Sequence, residues 1–261
     1  MKRIGLLFFL LFFVTGAHAE NPEKHFFTNI GLQTYHHDYE EPGVMEQDGM
    51  FLGVSYSIGY EKDWLLKLEG HFAAGEVDYS STSTGSMNDK DNFNAEARGI
   101  VGYSIYNKGK LKIIPYTGAA FRLLQDDSQN RQTTTGHWGY DRESQYFYSP
   151  IGIAATYRLK NGWRLKPELE YDLFWFGEQK SDLGYLAGYE DIENDQDSGY
   201  GVRLSLAIEK EFRKFSIMVK PFYRYWDIDE SDKTTDSNGR TFVEPANETV
   251  EYGVDISFFF F

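Results

Sequence analysis

The sequence predicts an all-β chain of ten antiparallel strands closed into a transmembrane β-barrel, and three observations carry that expectation. Ten segments alternate polar and apolar residues with period two. The connections between them switch regularly between short and long. The last segment alternates up to an aromatic end, while the first nineteen residues read as an export leader.

In chain order, Lys2-Arg3 and the apolar run Ile4 to Val14 lead to Ala17-His18-Ala19, the small-x-small pattern that a signal peptidase cuts. Residues 1–19 are therefore expected to be a cleaved signal peptide, and residues 20–261 a single barrel domain. Cysteine is absent, which excludes a disulfide framework, a thiolate metal site and a Cys nucleophile. After the leader there is no run of about 18 apolar residues to span a bilayer as a helix. A barrel strand needs only about 9 to 11 residues and shows lipid only every second one, so alternation conceals its hydrophobicity.

The strands are expected at about 26–37, 49–60, 64–77, 92–106, 111–125, 144–158, 163–177, 199–211, 215–227 and 249–261. Between them, Glu61-Lys62-Asp63, Asn107-Lys108-Gly109-Lys110, Lys160-Asn161-Gly162 and Phe212-Arg213-Lys214 are short, and their Asn-Gly and Lys-Gly pairs favour tight turns. The long connections run about 38–48, 78–91, 126–143, 178–198 and 228–248. Both chain ends then fall on the short-turn side.

Alternation also assigns faces. Leu165, Leu169, Tyr171, Leu173 and Trp175 share one side of their strand, and Arg164, Lys166, Glu168, Glu170 and Asp172 the other. Val202, Leu204, Leu206 and Ile208 oppose Arg203 and Glu209, and Ile217, Val219, Tyr223 and Tyr225 oppose Lys220 and Arg224. A secreted sandwich or lipocalin-like barrel would turn the apolar face inward. Aromatic side chains make up 17% of the chain and cluster where strands meet connections, which favours a membrane barrel. Tyr60, Trp64, Tyr103, Tyr106, Tyr157 and Trp163 sit near short turns, and Tyr146, Trp175 and Trp226 near long loops.

Residues 251–258 resemble the assembly signal of bacterial outer-membrane barrels, with Glu251, Gly253, Ile256 and Phe258 filling its polar, glycine and two apolar places. Three further Phe follow, a departure from the usual ending, and the resemblance covers only the last strand. It implies a small porin-, opacity- or adhesin-like barrel of a Gram-negative outer membrane, with short periplasmic turns and long extracellular loops. It also implies outer-membrane lipid, lipopolysaccharide and the barrel-assembly machinery as partners.

The charge is unevenly spread. The five long connections with their flanks hold 27 acidic and 6 basic side chains, against 40 and 26 in the whole chain. Asp38, Glu40 and Glu41, Glu190 to Asp197, and Asp227 to Asp232 carry much of this excess. Such a surface repels nucleic acid and attracts divalent cations, basic peptides or another extracellular partner. Asp191, Glu193, Asp195 and Asp197 supply carboxylates, but the ordered Gly and distal Glu of a calcium loop are missing. Aromatics among the acids, His137, Trp138, Tyr140, Tyr185 and Tyr189, are candidates for surface contact.

Facing inward, Lys67, Arg98, Lys112, Arg122, Arg158, Arg164, Lys166, Arg203, Lys220 and Arg224 meet Glu69, Glu96, Glu168, Glu170, Asp172, Glu209, Glu251 and Asp255. Ten strands enclose little more than the eight whose side chains fill the interior, so this near-balanced set predicts a salt-bridged plug rather than a single-sign pore ring.

Ten strands is also the size of the omptin proteases, which use His–Asp and Asp–Asp pairs at the rim. His36, His37 and Asp38, with Asp126-Asp127, supply the residue types without the family's setting. His71 beside Glu69 is the other candidate base, without a recognisable Ser nucleophile. The sequence thus predicts a non-enzymatic barrel without a cofactor, which binds a surface partner through acidic loops or serves as an envelope scaffold. A narrow channel for ions or small solutes is the alternative.

Overall fold

A computed structural model describes residues 25–260. The expected signal peptide and Phe261 lie outside that range. Ten long strands follow one another as Phe26–Glu41, Met45–Glu61, Trp64–Ser81, Gly85–Tyr103, Leu111–Asp127, Asp141–Arg158, Trp163–Asp182, Gly199–Glu211, Phe215–Ile228 and Asn247–Phe260. Each pairs antiparallel with its neighbours in sequence. The first and last close the ring, in register from Thr28↔Phe260 to Glu40↔Glu248. No sheet edge is left between them, so every central strand satisfies its backbone polar groups within the barrel.

The outward side is apolar. Leu32, Leu52 and Leu68 are each more than 60% exposed, and Leu169, Leu204, Ile256 and Phe258 continue the band around the barrel. A soluble sandwich or lipocalin would bury these positions, so the outward apolar band selects the membrane arrangement. Rings rim the band at both ends. Trp64 packs edge-on to Tyr103 beside the short turns, and Phe147 lies between Phe121 and Phe176 towards the long loops.

The short turns fall where Asn-Gly and Lys-Gly place them. Asn161 and Gly162 both adopt positive φ, 59° and 73°, the left-handed conformation those residues tolerate best. At the other end the strands run further than alternation indicates. The expected long connections 38–48 and 78–91 shrink to the tight turns 42–44 and 82–84, and Asp38, Glu40 and Glu41 belong to the first strand. Alternation does continue there, but with polar residues on both faces, so no apolar stripe marks it. The remaining loops are partly ordered by short strands, Ile192–Gln196 against Gly177–Ser181, and Thr234–Thr235 against Thr241–Phe242.

Tyr146 and Trp226, expected in the outer aromatic belt, instead turn inward and are each 1% exposed. They join Tyr148, Phe174 and Ile228 in a cluster within the barrel, while Tyr35, Phe51 and Phe222 form a second. Trp175 does face outward.

Candidate functional site: the lumen and the outer rim

Two ion-pair centres lie side by side across the middle of the lumen. In the first, the Arg203 guanidinium donates to both oxygens of Glu96, at 2.9 and 2.5 Å, and through Nε to Asp172 at 2.5 Å. The Tyr148 hydroxyl donates to Glu96 and accepts from Arg203 at 2.7 Å. In the second, Glu251 accepts from Arg122 at 2.9 Å, from Asn94 at 2.8 Å and from Arg224 at 3.1 Å, and it meets His37 Nδ1 at 3.2 Å. Trp226 lies against both, with Arg122 5.1 Å and Arg203 5.6 Å from its ring. Glu96, Asp172, Arg122 and Glu251 are all buried.

Toward the periplasmic turns the network loosens. Arg98 joins Glu170 to Glu69, which also pairs with Lys67 at 2.7 Å, and Tyr116 donates to Glu168 at 2.5 Å. Lys166 and Arg164 meet Glu209 at 2.7 and 3.4 Å. Toward the outside, Arg142 holds Glu41 at 2.6 Å and also Glu244, and Lys90 holds Asp126 at 2.7 Å. Lys90, Asp126, Arg142 and Glu41 are inward charges on strands that the sequence assigned to loops, because their segments carry no apolar alternation to reveal a strand, whereas Glu244 does lie in the last long loop, as expected. Arg158 lies exposed at the periplasmic mouth.

The last strand divides between the two surfaces. Glu251 and Asp255 point inward, while Ile256 and Phe258 face lipid. Gly253 lies opposite Tyr35, and a Cβ there would stand 2.2 Å from the Thr34 carbonyl and 2.4 Å from Tyr35 Cβ. Its missing side chain therefore lets the last strand approach the first closely at Tyr35, whose ring packs 5.9 Å from Phe222.

Neither candidate enzymatic pair is assembled. His36 turns outward against Tyr252, and His37 engages Glu251. Asp126 accepts from Lys90 and Gln47. The expected Glu69–His71 contact is replaced by His71 Nδ1 at 3.4 Å from Glu96, because Glu96 lies directly across from His71 on the neighbouring strand.

On the outer rim carboxylates face carboxylates. Asp38 pairs with Asp48, which pairs with Asp78. Glu76 pairs with Asp91 and Asp91 with Asp127. Glu40 lies between Glu46 and Glu248. Asp191, Glu193, Asp195 and Asp197 are all exposed along one side of an extended segment. Alternate strand residues stand about 6.6 Å apart, too far for the converging oxygens a calcium ion takes. Among the described residues no three His, Asp or Glu side chains form a metal-holding group.

Of the loop aromatics, Trp138 is half exposed, Tyr185 donates to the Gly139 carbonyl, and Tyr189 stacks under Arg240 at 4.0 Å. The last two tie neighbouring loops together. Tyr140 is half-buried, and its partial removal from water pushes its hydroxyl up to about 12.

A closed barrel of ten antiparallel strands, apolar outside and ionic within, is the fold of outer-membrane β-barrels. Among solved structures, the outer-membrane protease OmpT of Escherichia coli superposes with a TM-score of 0.65 at 10% identity, over 91% of this chain and 96% of that one. That likeness is one of fold. The transport unit of the autotransporter AIDA-I from Escherichia coli gives a TM-score of 0.43 at 8% identity, over 95% of this chain and 94% of that one. The attachment invasion locus protein Ail of Yersinia pestis gives 0.36 at 9% identity, over 90% and 99%. No family model and no curated protein sequence matches the chain.

Proposed function

We propose that this protein is a non-enzymatic outer-membrane barrel, plugged by its own ion pairs, that presents an acidic rim to a cationic partner outside the cell. The observation that carries the reading is the layer of Arg203, Glu96, Asp172, Arg122 and Glu251, buried across the lumen and closed over by Trp226. An open pathway would need these charges solvated rather than paired. The rim supports the other half of the reading. Like charges directly across strands cost about 0.2–1 kcal/mol per pair, a penalty that a polybasic segment or divalent cations would relieve.

Planar-bilayer recording of the refolded mature barrel tests the plug, with silence from a heat-modifiable, folded preparation expected. Discrete steps whose ion selectivity shifts on Arg122→Gln would establish the channel alternative instead. Binding of a polylysine peptide to the embedded barrel tests the rim. Binding should weaken at high salt and fall on Asp38→Asn/Asp48→Asn/Asp78→Asn, whereas unchanged binding would remove the rim from the reading.

A further inference from the structure

The two mouths of the barrel carry opposite charge, and the short-turn end carries its own unevenly. Asn107-Lys108-Gly109-Lys110, Lys160-Asn161-Gly162 and Phe212-Arg213-Lys214 hold five cations and no carboxylate, whereas Glu61-Lys62-Asp63 holds one cation and two carboxylates. Lys108, Lys110, Lys160, Arg213 and Lys214 are all exposed. The three basic turns follow one another around the ring and lie close together. The Arg158 N–H donates to the Lys110 carbonyl at 2.8 Å, and a Cβ on Gly162 would stand 3.2 Å from the Glu211 carbonyl.

Next to these turns the lipid side of the wall is aromatic, with one cation set into it. Lys210 lies directly across from Trp163 on one neighbouring strand and from Ile217 on the other. Directly opposite residues share a face of the sheet, so Lys210 points outward with them. Its ammonium sits 5.3 Å from the Trp163 ring and 5.9 Å from the Phe212 ring, and it donates to the Asn161 carbonyl in the adjoining turn. Glu209 and Glu211, on either side of it in the chain, face the lumen, where Lys166 and Arg164 hold them. Lys210 therefore has no carboxylate partner among the described residues. Phe212 stacks on Phe215 at 5.0 Å, and exposed Ile208 and Phe258 continue the apolar band from there. An apolar stem packed among interfacial rings, with the ammonium raised to the level of the turns, is how a lysine reaches lipid headgroups.

We infer that the short turns at 107–110, 160–162 and 212–214 form a docking surface for anionic phospholipid, with a lipid phosphate held by Lys210, Lys160 and Arg213 and its acyl chains along Trp163, Ile208 and Phe215. The position of Lys210 favours a lipid over a soluble anion. Its ammonium is reached along the apolar outer wall, where a ligand must itself be apolar over most of its length, and two of its three N–H groups remain to donate to phosphate oxygens. The surface is independent of the acidic rim. Its charge is the reverse, so the two mouths suit different surroundings, a cationic partner outside and anionic lipid in the periplasmic leaflet.

Native mass spectrometry of the refolded mature barrel tests this, with phosphatidylglycerol and phosphatidylcholine of the same chain length added in equal amounts to neutral micelles. Phosphatidylglycerol should be retained about tenfold over phosphatidylcholine, which corresponds to about 1.4 kcal/mol. The preference should fall to near parity in Lys160→Gln/Lys210→Gln/Arg213→Gln. Lys210→Arg should keep it, and Arg240→Gln on the extracellular loops should leave it unchanged. Gel heat-modifiability shows that each variant is folded before its lipid is counted. Equal retention of the two lipids by the folded wild type would overturn the proposal. A preference that survives undiminished in the triple variant would place the lipid elsewhere and would equally overturn it. Binding of a polyglutamate peptide without any preference between the lipids would assign the turns to an acidic polypeptide of the periplasm instead.

Discussion

The lumen and the outer rim spend similar residues in opposite ways. Inside, each buried carboxylate of the central layer faces a guanidinium: Glu96 and Asp172 meet Arg203, and Glu251 meets Arg122 and Arg224. On the rim, Asp38, Asp48 and Asp78 stand in a row of mutual neighbours. The lumen is a low-dielectric space where an unpaired charge is prohibitive, so pairing there is a condition of folding. The rim is in water, where repulsion is screened and cheap, so its composition is free to answer to whatever it meets outside.

The sharpest way to break this contrast is to remove one inner partner. Glu96→Gln leaves Arg203 with a neutral amide in place of its bidentate carboxylate, and a buried pair broken on one side loses about 3–5 kcal/mol. Urea unfolding in micelles, followed by heat-modifiability, should show a loss of that order. A loss below about 1 kcal/mol would mean that water reaches the layer and that the lumen is not sealed.

Gly253→Val attacks the same layer by shape rather than charge. The added Cβ meets backbone at the Thr34 carbonyl, not the flexible end of a side chain, so the first and last strands must part locally. Overpacking of a filled interior costs about 1–3 kcal/mol, and here it falls on the seam that closes the barrel. Insertion into lipid vesicles should slow, with Gly253→Ala intermediate. Equal insertion rates for both variants and wild type would show that the seam between the first and last strands widens without cost.

How far the sequence could be read follows from the same contrast. Where one face meets lipid, as along Leu165 to Trp175, alternation is unambiguous and the strands, turns and inward charges all follow from it. Above the lipid both faces are polar, and there the apolar stripe disappears although the strands continue. That is why Glu41, Lys90, Asp126 and Arg142 read as loop charges and why the loops read too long. The inward aromatics mislead for a different reason. A large ring such as Trp226 at a strand end suits a membrane interface as well as a plug, although its parity with Lys220 and Arg224 already places it on the inward face. The partner of His71 was invisible, since cross-strand neighbours depend on a hairpin register that the sequence leaves free by a residue.

Glu244 lies between the two regimes, in the last extracellular loop. Burial first, and then the neighbouring Glu41 carboxylate, push it up to about 7 from an ordinary 4.5, with Arg142 pulling the other way. A carboxyl whose folded pKa is raised contributes stability that is complete below the unfolded value and is lost as pH rises through the folded one. The loop 229–246 should therefore be best docked in acid and loosen as pH passes about 7. Amide exchange of that loop should be faster at pH about 8 than at about 6, beyond the intrinsic pH dependence. Glu244→Gln should abolish that excess, and its persistence in the variant would assign it to another group.

The smallest expected effect has the opposite sign from the first. Asp48→Lys places a cation between Asp38 and Asp78, turning two like-charge cross-strand pairs into two opposite-charge ones. Each conversion is worth about 0.2–1 kcal/mol, so the barrel should become slightly more stable, and the gain should shrink as salt is added. If urea unfolding instead shows a loss at low salt, the rim carboxylates are held by interactions within the barrel, and the distinction between a lumen built for folding and a rim built for contact does not hold.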